Sequence, residues 1–136
     1  MPLDKVFVDI ETNVFHTGFT LNGSLNPAGL SSPVQWQFRY SATQSTIAND
    51  TNGSGGSGAG WTSQNHDGIN VSVSKAITGL SANTTYYWRL WLKSGNTYYS
   101  SGVQSQATAE NTTISYDNMA DSASQTDSFN VAYKVD

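Results

Sequence analysis

The chain has 136 residues, of which only 12% are charged; its net charge is −4 and its pI about 4.8. That length fits one domain with a real core, and six Lys and Arg spread along it cannot build the basic stripe that tracks nucleic-acid phosphates. The absence of Cys removes disulfides and thiolate catalysis, and no apolar run approaches the length of a membrane span, so neither nucleic acid nor membrane is an expected partner.

Short runs in which β-branched or aromatic residues alternate with polar ones, separated by Gly, Asn and Ser, predict an all-β fold. Val6 to Phe15 reads as the first strand, with Val6, Val8 and Ile10 alternating against Phe7, Asp9 and Glu11. Asp9 and Glu11 stand as in the first motif of two-metal exonucleases, but no further carboxylates follow in that pattern, so an ordinary strand is expected. Gly18 to Leu25 is the second strand, closed by the turn Asn26-Pro27-Ala28-Gly29. In the third, Val34 to Tyr40, one face carries Val34, Trp36, Phe38 and Tyr40 and the other Gln35, Gln37 and Arg39, with Trp36 read as core.

Residues 52–60 hold five Gly in nine positions and predict a flexible loop. Gly53-x-Gly55-x-x-Gly58 within it has dinucleotide-loop spacing, but no helix is expected to follow, and nucleotide binding is rejected. His66-Asp67 has no third ligand at a helpful spacing and reads as a solvated pair. Ile69 to Ile77 is the next strand, with Ile69, Val71 and Val73 inward. The strand after it has Tyr86, Trp88, Leu90 and Leu92 on one face and Tyr87, Arg89, Trp91 and Lys93 on the other. Asn96 to Thr108 forms the last strand of this unit.

The domain organisation expected is a sandwich over residues 1–108 and a β extension over 109–136 for packing or subunit contact, where Phe129, Val131 and Tyr133 line one face. Asp117-Asn118-Met119-Ala120-Asp121 lacks the sixth-position Gly of a calcium loop and reads as a turn. Nucleophile elbow, zinc-protease motif and paired carboxylates are all missing, so no enzyme, catalytic residue, metal or cofactor is expected. What remains is surface: Tyr87, Arg89, Trp91, Gln35, Gln37 and Arg39 are the candidate interaction residues of an outer sheet face, joined by Phe129, Val131 and Tyr133. On that reading Trp91→Ala leaves the fold intact.

Leu80-x-x-x-Thr84-x-Tyr86, followed by Arg89-Leu90, resembles the corner and following strand of fibronectin type III-like domains. Thr20-Leu21-Asn22-Gly23-Ser24-Leu25-Asn26-Pro27 is similar to a strand of the bacterial and phage variety of that module. The resemblance covers about residues 5–108 and implies an immunoglobulin-like antiparallel β-sandwich, with Leu80 and Tyr86 as a structural corner. With no leader sequence ahead of Met1, it also implies a phage virion structural protein made in the host cytoplasm. The role expected is capsid decoration or cement, with the capsid protein or copies of itself as partner, or else a tail or fibre subunit. The alternative is an extracellular glycan-binding or enzyme-accessory module.

Overall fold

The computed structural model describes residues 4–111; Phe129, Val131, Tyr133 and the Asp117–Asp121 turn lie outside them. The strands are β1 (Val6–Val8), β2 (Thr12–Phe15), β3 (Gly18–Leu25), β4 (Val34–Ser41), β5 (Thr62–Gln64), β6 (Val71–Ile77), β7 (Thr85–Ser94), β8 (Thr97–Ser100) and β9 (Gln104–Ala107); one short helix, α1 (Gln44–Ala48), interrupts them. They form two antiparallel sheets of a β-sandwich. In the first, β3 is central, with β1 and β2 along one side and β6 along the other. In the second, β4 and β7 are central, β5 lies outside β4, and β8 and β9 share the far side of β7.

The period of two decides what lies between the sheets. Phe19, Leu21 and Leu25 of β3 meet Val34 and Phe38 of β4 and Trp88, Leu90 and Leu92 of β7, all fully or almost fully buried. Trp36 and Tyr40 pack at the margin of this core, and Phe38 sets its ring edge-on to those of both Trp36 and Trp88. Gly23 takes an inward position where a Cβ would stand 2.7 Å from the Leu90 side chain and 2.5 Å from the Phe7 carbonyl oxygen, so the two sheets approach there as only glycine permits.

Two expected strands are broken. The first divides at Asp9–Glu11, and Asn22 closes the gap: its Nδ2 donates to the Ile10 carbonyl and to Thr12 Oγ1, both at 3.0 Å. The last divides at Ser101, whose hydroxyl accepts the Leu90 N–H in place of a ladder carbonyl. Ile69, expected inward, lies outside β6 and is 67% exposed, because the strand begins only at Val71. The corner forms as the resemblance implied: Tyr86 Oη accepts the Ser81 N–H at 2.9 Å, and Leu80 packs on the core beneath it.

A covered face with one open strip

The register of the second sheet sorts its outward side chains into cross-strand rows. Ser63, Gln35, Lys93 and Tyr98 form one row, Gln37, Trp91 and Ser100 the next, Arg39 and Arg89 the third, and Ser41, Tyr87 and Ser105 the fourth. All six residues expected to share this face do share it. The face is not free, however. Trp91 and Gln37 are each only 3% exposed, because α1 and the glycine-rich segment fold across the middle rows.

The cause is the third row. Two guanidinium groups directly opposite each other repel unless their donors are satisfied. Arg39 donates through Nε to the Gly55 carbonyl at 2.8 Å and through Nη2 to those of Ser54 and Gly56 at 3.2 and 2.7 Å. Arg89 donates to the carbonyls of Ile47, Asp50 and Ser101 and to Ser100 Oγ, and its guanidinium lies 4.9 Å from the centre of the Trp91 ring. Gln37 adds a bond from Nε2 to the Gly53 carbonyl at 2.8 Å. The main chain of residues 47–56 therefore acts as the acceptor shell for two facing arginines, and Ile47 seals it as a fully buried apolar plug.

This corrects the expectation of a flexible loop. Asp50 holds the segment from the other side, its Oδ1 accepting the N–H groups of Asn52 and Ser54 and its Oδ2 that of Gly55. Burial raises the Asp50 carboxyl, but the bonds from Gly55, Asn52, Ser54 and Gly53 outweigh it and hold the group below its ordinary value. Gly56 has a φ of 66°, and a Cβ there would stand 2.3 Å from the Tyr40 carbonyl oxygen, so the close approach needs glycine. Asp50-x-Asn52-x-Ser54-Gly55 has the opening spacing of a calcium loop, yet the Asp50 oxygens accept backbone N–H groups and the Gly56 carbonyl, at the seventh position, accepts from Arg39 Nη2.

The remaining sequence candidates fall into structural roles. Glu11 accepts the indole N–H of Trp88, so it supports the core instead of sitting beside Asp9 as a metal ligand. His66 Nδ1 accepts the Gly68 N–H and Asp67 Oδ1 accepts the Ile69 N–H, which makes the pair a turn. Among the described residues no group of three or more His, Cys, Asp or Glu side chains converges, and no helix is long and apolar enough to cross a membrane.

The fourth row keeps Tyr87 half-buried and Ser105 exposed, and the first row stays open with aromatic rings around a cation. There Tyr98 is 37% exposed and Trp61, which leads into β5, leans over the row with its ring centre 6.0 Å from that of Tyr98. Lys93 Nζ lies 5.6 Å from the centre of each ring. Trp61 is held from below by Gly53, where a Cβ would come within 2.9 Å of its ring. The strip thus comprises Trp61, Lys93, Tyr98, Gln35 and Ser63. Of these, Gln35 alone was a sequence candidate. Lys93 carried a signal in its shared face with Arg89 and Trp91, whereas Trp61 and Tyr98 join that face only through strand pairing.

No protein-family model matches the sequence, and no curated protein matches it. Solved structures do. The solution structure of the sensor domain of the anti-sigma factor RsgI4 from Pseudobacteroides cellulosolvens is similar with a TM-score of 0.58 and 19% identity, covering 98% of this chain and 95% of that one. A longer form of the same sensor domain gives 0.56 at 14% identity, covering 83% and 96%, and a shorter form 0.52 at 16%, covering 78% and 94%. At such identities the likeness establishes the fold. It also overturns the phage virion assignment: the similar structures are bacterial sensor domains and not virion proteins, so the capsid-decoration, cement, tail and fibre roles have no support.

Proposed function

We propose that this chain is a non-enzymatic recognition module, of the fibronectin type III-like kind, that binds a polymeric carbohydrate through the strip formed by Trp61, Lys93, Tyr98 and Gln35. The observation that carries the reading is a pair of adjacent aromatic rings, Tyr98 exposed and Trp61 half-buried, flanking Lys93 beside a face whose Trp91 and Gln37 are buried. Aromatic faces stack on the apolar faces of sugar rings, while Gln35 and Ser63 offer neutral donors and acceptors to hydroxyls. The strip lies along a cross-strand row, a layout suited to an extended chain more than to an enclosed small molecule. The near-complete overlap with a sensor domain supports a ligand-reading role, and such a module would act where polysaccharide is met, outside the cytoplasm.

The test is a titration of the protein with soluble polysaccharides, followed by tryptophan fluorescence and by amide chemical shifts. Binding should shift resonances of the Trp61, Lys93 and Tyr98 row, be lost in Trp61→Ala, and release no new reducing ends. Binding that leaves that row unshifted, or cleavage of the polymer, would overturn the reading.

A further inference from the structure

Resting on that carbohydrate reading, we infer that the strip selects an acidic sugar, with the Lys93 ammonium receiving a uronate carboxylate while the sugar ring stacks beside it on Trp61 or Tyr98. Three observations converge on Lys93. It stands between two aromatic rings at equal distance, 5.6 Å from each centre, so its charge is fixed at the middle of the strip. No carboxylate of the described residues reaches it, and its neighbours across the sheet are the uncharged Gln35 and Tyr98. Its three N–H donors therefore keep capacity for an anionic partner.

The surrounding field has the same sign. The outward rows of this sheet carry Arg39, Arg89 and Lys93 and no carboxylate, and the covering segment adds only Asp50, whose oxygens are taken by backbone N–H groups. A chain of net charge −4 thus presents a positive strip on one face. Arg39 and Arg89 spend their donors on backbone carbonyls, which leaves Lys93 as the cation of this face able to turn to a ligand.

The experiment compares three soluble probes by calorimetry: a polyuronate oligosaccharide, its methyl ester, and a neutral oligosaccharide of the same length. Esterification removes the charge and keeps the ring shape. The inference expects the acid to bind about tenfold or more tighter than the ester, the size of a charge-assisted hydrogen bond. It also expects that advantage to shrink with added salt, to vanish in Lys93→Met, and to return in part in Lys93→Arg. Equal affinity for acid and ester, or preference for the neutral probe, would overturn the acidic specificity and leave the carbohydrate reading standing. Failure of all three probes would overturn both, and an acid preference that survives Lys93→Met would remove the role from Lys93.

Discussion

The indole N–H of Trp88, a residue only 1% exposed, donates to Glu11 Oε2 at 2.7 Å, so the largest core side chain is fixed by a carboxylate at the break between β1 and β2. The alternation that puts Glu11 beside Asp9 in sequence resembles a metal motif. In space, the two carboxylates do different things, and this one completes the hydrogen bonding of the core. An orphaned buried donor costs about 1–3 kcal/mol. Glu11→Ala is therefore expected to lower unfolding free energy in urea by about that amount. Glu11→Gln, which keeps an acceptor, should recover much of it.

Trp91→Ala should destabilise the fold by about 3 kcal/mol or more, since the ring is buried and lies under the Arg89 guanidinium. The earlier expectation that this substitution is harmless fails for that reason. Trp91→Phe should cost distinctly less, because the Trp91 Nε1 makes no hydrogen bond that the change would break. Denaturant midpoints of the two variants side by side check the order.

Asp50 sets an acid limit on the cover. Its folded carboxyl lies below the ordinary value of about 3.9, so its contribution is fully present above that value and is lost as pH falls through the lower folded value. Protection of the Asn52, Ser54 and Gly55 amides, taken relative to their intrinsic exchange, should fall in that acid window ahead of that of the β3 and β7 amides. Asp50→Asn should abolish the pH dependence at those three positions. An equal fall throughout the sandwich would show that the segment has no separate acid limit.

Lys75 takes the core-side register position of β6, opposite Leu21, yet is exposed, on a strand that forms the edge of its sheet. A charge at the rim of an edge strand obstructs pairing with a second sheet. Lys75→Val should produce concentration-dependent self-association, visible by sedimentation velocity, with little change in monomer stability. A variant that remains as monodisperse as the parent would show that the edge is protected by other means.

Much of the scaffold was legible in the residues. The alternation fixed β3 to its ends, placed β4 to within one residue, and sorted both faces of β7 correctly. The corner was readable because Tyr86 and Ser81 lie close in sequence. The covered face was not readable, for a physical reason: Arg39 and Arg89 are held by main-chain carbonyls, and carbonyls are the same at every residue. Nothing in a run of Gly and Ser announces that its backbone is an acceptor shell. The open strip was hidden likewise, since Trp61 and Tyr98 come together only once β5 and β8 have paired with their neighbours. The splits at Asp9–Glu11 and at Ser101 leave no mark in the sequence, because side chains of Asn22 and Ser101 stand in for missing ladder bonds and the alternation on either side is unbroken.

The grip of the glycine-rich segment on the arginines passes through main-chain oxygens, while the side chains of Thr51, Ser57 and Ala59 point to solvent and hold nothing down. Its attachment is therefore nearly indifferent to what is written at those positions. Substitutions at those three positions should leave the cover in place, provided Gly53, Gly55, Gly56 and Gly58 are kept, since a Cβ at each would collide with a neighbour. The molecule has in effect separated the part of the loop that fastens from the part that can be read from outside, and the second lies beside the strip that starts at Trp61.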